Sequence, residues 1–168
     1  MSRLYLLRHA KSSWDDPELS DRERPLATRG VRAARRLARY ARRRGIAVDV
    51  VLCSPARRAR QTLELVEASL AGRAEVRVED GLYGASAEDL IARLRRLPDA
   101  VGSVLLVGHN PGLQDLTAML AGTGPAARQP GQRFPTGALA ALAVPEPWAA
   151  LGPGRAKLVD LVVPRELG

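Results

Sequence analysis

The chain is poor in the residues that most often build reactive centres. In 168 residues there are two histidines, His9 and His109, and one cysteine, Cys53. A lone cysteine excludes an internal disulfide. With the histidines far from it in sequence, it also argues against a transition-metal site, and no carboxylate cluster suggests magnesium. Phosphatases that use cysteine carry an arginine six positions further on. Here that position is Ala59, so Cys53 reads as a small core residue. There is no Gly-rich loop followed by Lys and Ser/Thr, and no Gly-x-Ser-x-Gly elbow. Aromatic residues are only 4% of the chain, too few for the stacking surfaces that single-stranded nucleic acid needs. No apolar run approaches the ~18 residues of a membrane span. The N-terminus reads as a strand rather than a signal peptide, so the expected compartment is the cytoplasm. Lysine is nearly absent as well, and the formal charge of +8 rests on arginine. Eleven arginines and one acid, Asp49, lie between Thr28 and Gln61. That block is either a solvated helix face or a surface for an anionic partner.

What is present alternates. Arg3–Leu7 is a short, continuous apolar run that reads as a buried strand, Val48–Cys53 and Ser103–Gly108 read as further strands, and Glu75–Val78 looks like a shorter one. Between them lie helical stretches. One runs from a cap at Thr28 to a stop at Gly45, with Val31, Ala34, Leu37, Ala38 and Ala41 as its apolar stripe. A second is opened by Ser54-Pro55 and runs to about Leu70. A third starts at a Ser86/Asp89 capping box, and a fourth follows His109-Asn110-Pro111. Gly122–Pro135, which includes Arg128 and Arg133, reads as a loop. Gly137–Val144 and Ala156–Val163 read as two strands joined without a helix. The pattern predicts a single α/β domain over residues 1–168 with a mostly parallel, mixed sheet.

Three strand ends carry similar equipment. The first ends in Arg8-His9. The second leads into Ser54, with Arg57 and Arg58 following. The third ends in His109-Asn110. Ligands of open α/β sheets sit at such ends. Helix N-termini and guanidinium forks there suit a phosphoryl dianion. A neutral imidazole beside them is a competent nucleophile toward phosphorus. The second histidine, as imidazolium, can stabilise equatorial oxygens. Arg8, His9, His109 and the arginines after Ser54 are therefore the candidates for a phosphoryl site. Asn110 and Ser54 are added as candidate substrate contacts, with no metal.

The same residues resemble a known family. Arg8-His9-Ala10 is similar to the Arg-His-Gly motif of the histidine phosphatase superfamily, which includes the phosphoglycerate mutases. Ser54-Pro-Ala-Arg-Arg58-Ala-Arg-Gln61-Thr62 and Gly108-His109-Asn110-Pro111 resemble its second and third motifs. Arg8–Ser12, Arg24-Pro25-Leu26 with Arg29-Gly30, Leu82–Ala85 and Phe134–Ala138 resemble the SixA-like branch, the phosphohistidine phosphatases. The resemblance implies a phosphoglycerate mutase-like three-layer α/β/α sandwich and a phosphorylated His9. It also implies a phosphate pocket of Arg8, Arg58 and His109, and neither metal nor other cofactor.

The larger enzymes of the superfamily place a glutamate after the third strand as general acid, where this chain has Leu82-Tyr83-Gly84-Ala85. Glu79 and Asp80, slightly earlier, read as surface residues. Asp16, Glu18 and Glu88 remain as proton sources. An imidazole leaving from phosphohistidine needs less protonation than an alkoxide. The expectation is thus a cytoplasmic, monomeric phosphatase of phosphohistidine in a signalling protein. The alternatives are a phosphatase of a small phosphorylated metabolite, and a non-catalytic module binding phosphate or nucleic acid.

Overall fold

The computed structural model describes residues 1–122 and 134–167. Most of the expected Gly122–Pro135 loop, with Arg128 and Arg133, lies outside them. Six strands form one sheet: β1 (Ser2–Arg8), β2 (Val50–Cys53), β3 (Glu75–Val78), β4 (Ser103–Gly108), β5 (Leu139–Val144) and β6 (Lys157–Val162). Their spatial order is β3-β2-β4-β1-β5-β6. The β3-β2, β2-β4 and β4-β1 pairs are parallel. β5 and β6, joined by a single 3-10 turn at Trp148–Ala150 and no α-helix, add antiparallel, β5 to β1 and β6 to β5. The sheet is mixed, as the chain pattern predicts.

Alternation along the central strands builds two cores. Leu4 and Leu6, Val50 and Leu52, and Val104 and Leu106 face one side. They pack there with Leu90 and Leu94 of α3 (Ala87–Arg95), and with Leu113, Leu116 and Leu120 of α4 (Gly112–Ala121). Leu7, Val51, Cys53, Leu105 and Val107 face the other side, against Leu37 of α1 (Thr28–Arg44) and Leu63 and Val66 of α2 (Arg57–Glu67). This is the three-layer α/β/α sandwich. Burial of the central strands on both faces explains why they read as continuous apolar runs. Cys53 is fully buried, and desolvation pushes its thiol up to about 12, so it serves packing. Among the described residues, no helix is long and apolar enough to cross a membrane.

Helix starts differ from the sequence reading. α1 is preceded by Ala27 rather than capped by Thr28. α2 begins at Arg57, not at Ser54-Pro55, because Ala56 is still extended and takes the cap position. Pro111 caps α4 instead of opening it. The Ser86/Asp89 capping box of α3 is formed in both directions, at 3.0 and 3.1 Å. Gly45 ends α1 in the left-handed region, at φ 62°.

Gly30 has a different reason to be glycine. A Cβ there would lie 2.1 Å from the Lys11 carbonyl oxygen, so α1 rests directly on the backbone that follows His9 and Ala10. Gly30→Ala is expected to destabilise the fold by ~1–3 kcal/mol. Thermal denaturation would register this as a melting point several degrees lower. An unchanged melting point would mean that α1 does not need this close approach.

Candidate active site

The parallel pairing of β1 and β4 brings the two histidines together. Arg8 is in register with Gly108, and the His9 backbone N–H donates to the Gly108 carbonyl at 3.1 Å. The imidazole centroids lie 5.1 Å apart. β2 pairs with the other edge of β4 and delivers Ser54 and then Arg58, in the first turn of α2. The three strand ends expected to converge do so. They border a cavity of about 430 Å³ whose walls include Arg8, His9, Arg58, His109 and Asn110, together with Lys11, Ser12, Asp21 and Tyr83.

His9 is tethered through one nitrogen. Its Nδ1 lies 2.8 Å from the Ala10 carbonyl oxygen, which only accepts, so Nδ1 carries the proton and Nε2 keeps its lone pair. Ala10 is fixed in turn, its N–H donating to Thr62 Oγ1 at 3.0 Å, and Thr62 donates to the Arg58 carbonyl at 2.7 Å. Burial, reinforced by His109, Arg58 and Arg8, lowers the His9 pKa to about 3 against the pull of the Ala10 bond. His9 is therefore neutral and nucleophilic at ordinary pH.

His109 departs from its expected state. Burial and the nearby Arg58 lower its pKa to about 4, so the imidazolium expected from the sequence is a neutral ring in the ligand-free site. Ser54 Oγ sits 2.7 Å from its Nε2 and also accepts the Ala56 N–H at 3.3 Å. The serine proton finds no other acceptor among the described residues and is given to Nε2. Nδ1 of His109 then carries the other hydrogen. That Nδ1, together with Arg8 Nε and Arg58 Nε, is buried without a partner among the described residues. All three belong to residues that border the cavity, and leaving them unpaired carries a desolvation cost.

Ser54, expected as a substrate contact, is fully buried, and its hydroxyl orients His109 rather than facing the cavity. Asn110 borders the cavity, but both ends of its amide are engaged. Nδ2 donates to the Phe134 carbonyl at 2.8 Å, and Oδ1 accepts the Gln114 N–H at 3.2 Å. The same Phe134 carbonyl accepts from Arg8 at 3.1 Å, so Asn110 helps to hold the oxygen that aims Arg8. Arg57, less buried, reaches the Glu23 carbonyl, and exposed Arg60 reaches that of Pro55.

Sequence reasoning missed Asp21. Arg58 donates to its backbone oxygen at 2.7 Å and to its carboxylate at 3.0 Å, Arg24 donates to it at 3.1 Å, and Tyr83 donates its phenol hydrogen to it. Chiefly through the Tyr83 bond, and against partial desolvation, its pKa falls to about 2. Asp21 is the one carboxylate bordering the cavity among the described residues, and it is ionised. The other acids face elsewhere. Arg93 grips Glu79 at 2.7 and 2.9 Å, and the Asp80 side chain is 89% exposed near Arg22. Asp16, Glu18 and Glu88 do not reach the cavity. Among the described residues, no cluster of three His, Cys, Asp or Glu side chains is placed to hold a metal ion.

The histidine shifts set a stability profile. Both folded pKa values lie below the ordinary 6.5, so the unfolded chain binds more protons from about 6.5 down to about 3, the value of His9. Stability is complete above that window and is lost as pH falls through it. The melting temperature should therefore decline from about pH 6.5 downward, and less steeply in His9→Asn. A flat profile over that range would contradict neutral, buried histidines.

Comparison with known proteins agrees with this geometry. The family model described as histidine phosphatase superfamily (branch 1) matches residues 4–90. An uncharacterized protein of Mycobacterium tuberculosis is 42% identical over 163 residues, covering 95% of this chain and 100% of its own. A candidate phosphohistidine phosphatase SixA from Agrobacterium tumefaciens superposes with a TM-score of 0.81 at 33% identity, over 96% of this chain and 97% of its own. The protein histidine phosphatase SixA in complex with tungstate superposes with a TM-score of 0.80 at 28% identity, over 97% of each chain.

Proposed function

The chain belongs to the histidine phosphatase superfamily, and from that premise we propose that it removes the phosphoryl group from phosphohistidine in a signalling protein, with His9 as nucleophile. The observation that carries the substrate reading is the state of the one carboxylate that borders the cavity among the described residues. Asp21 is held ionised, with a pKa of about 2, and so offers no proton to a leaving alkoxide. A phosphohistidine substrate needs none from the enzyme. Once the distal nitrogen of its ring has taken a proton from solvent, the ring departs as neutral imidazole.

In the first step the Nε2 lone pair of His9 attacks phosphorus, and the P–N bond to the substrate ring breaks with its electron pair passing to that ring. The bond formed is of the same kind as the bond broken, so the transfer is nearly balanced in energy. Arg8, Arg58 and the Nδ1–H of His109 supply charge and donors to the equatorial oxygens. Water then attacks phospho-His9 and loses one proton, and phosphate leaves. The Ala10 carbonyl keeps Nδ1 of His9 protonated throughout. Phospho-His9 is thus primed to depart as neutral imidazole, by the same logic that applies to the substrate. The proton lost by water passes to a phosphoryl oxygen or to solvent, since Asp21 is already held by Arg24, Arg58 and Tyr83. The tungstate held by the related SixA is a tetrahedral oxyanion like phosphate, which supports the same occupant here. The proposal carries with it a monomeric enzyme of the cytoplasm that works without metal or other cofactor.

Phosphate release from a histidine-phosphorylated protein domain and from a panel of phosphate esters tests the reading. Turnover of the domain well ahead of every ester is expected. Turnover confined to esters would move the substrate to a small phosphorylated metabolite.

A further inference from the structure

A second hollow of about 400 Å³ adjoins the active site and shares Lys11 and Thr136 with it. Among the described residues its charged walls are all cationic: Lys11, Arg165 beyond β6, and Arg29, Arg32 and Arg36 along one face of α1. The spacing of those three, i, i+3 and i+7, lines them up over about 10 Å of helix. All five cations are exposed, and none forms an ion pair with a described residue.

Stability does not account for this arrangement. Like charges three and four apart weaken a helix. The first turn of α1 contains no acid, although a helix N-terminus favours one. A cationic stripe that costs the fold and opens onto the reaction centre is explained by an anionic partner. We propose that this groove docks an acidic face of the phosphorylated protein, carboxylates beside the phosphohistidine settling on α1 while the phosphoryl group reaches His9. The inference rests on the phosphoprotein reading given above. Exposed, flexible arginines fit an extended acidic surface better than a compact second phosphate, which would call for buried, preorganised donors. Among the described residues no aromatic side chain borders the groove, which disfavours nucleic acid.

The test is a double charge reversal, Arg32→Glu with Arg36→Glu, away from the reacting atoms. On a histidine-phosphorylated acidic domain, kcat/KM should fall by about tenfold or more, through KM. Turnover of the small molecule phosphoimidazole should stay within about twofold, and added salt should erase the wild-type advantage. Equal kcat/KM on the domain would overturn the proposal. A parallel titration with an oligoglutamate peptide separates this proposal from the substrate reading. If wild type binds the peptide, the reversed variant does not, and the domain is never dephosphorylated, the docking face stands and the phosphohistidine reading fails. Peptide binding indifferent to the reversal would remove the docking face even if the domain is a substrate. Tighter binding of an oligonucleotide of equal charge through the same arginines would reassign the face to nucleic acid and also overturn the proposal.

Discussion

His9→Ala is expected to lower phosphate release by at least about 10⁴-fold, whatever the phosphorylated substrate. The expectation follows from how the ring is held. One nitrogen is fixed by the Ala10 carbonyl and the other is left unprotonated by a pKa near 3. Among the described residues no second imidazole offers a free lone pair, since Nε2 of His109 is engaged by Ser54. Ser54 is buried behind His109, Cys53 faces the core with its thiol pushed up to about 12, and Asp21 is committed to two guanidiniums and a phenol. The variant should still fold and still bind inorganic phosphate, because Arg8, Arg58 and His109 are untouched. Loss of turnover with phosphate binding retained is the signature of a missing nucleophile. Loss of both would point to a collapsed pocket.

Arg58→Ala is the second large effect, a fall of ~10²–10³ in kcat. Arg58 stands at the junction of three structures. Its guanidinium faces the cavity, its terminal nitrogens hold Asp21, and its carbonyl takes the Thr62 hydroxyl that positions Ala10. Arg58→Lys should recover only part of the loss, since an ammonium keeps the charge and not the fork. Arg58 also lowers the pKa of both histidines. Its removal should raise both values, which an NMR titration of the two rings would show directly. A kinetic loss without movement of either histidine would mean that Arg58 is further from the site electrostatically than the geometry indicates.

The convergence of His9 and His109 was legible because each closes an apolar run in which alternate residues serve opposite cores. A strand buried on both faces has nowhere to put a charged or titratable residue except its end. The arginines were legible for a related reason, since Arg58 follows the second such run at a helix start. The same logic could not reach Asp21. It is one of five acids between Asp15 and Glu23. Which of them turns inward is decided by Arg24, Arg58 and Tyr83, residues that local pattern does not connect. Its spacing of three from Arg24 is the only local trace. Ser54 was placed correctly on the chain and given the wrong duty, because a serine before proline reads as a helix cap. Its hydroxyl is claimed instead by a histidine 55 residues away. The aim of Arg8 depends on the Phe134 carbonyl, 126 residues along the chain, and no local pattern encodes that.

The most direct test of the account is the position of the phosphoryl group during turnover. Wild-type enzyme mixed with a histidine-phosphorylated protein domain, quenched in alkali within one turnover and mapped by mass spectrometry and phosphorus NMR, should carry phosphate on Nε2 of His9. The amount should rise and decay at rates that match phosphate release. Phosphate on any other residue, or full turnover with no phosphorylated His9 at any time, would contradict it.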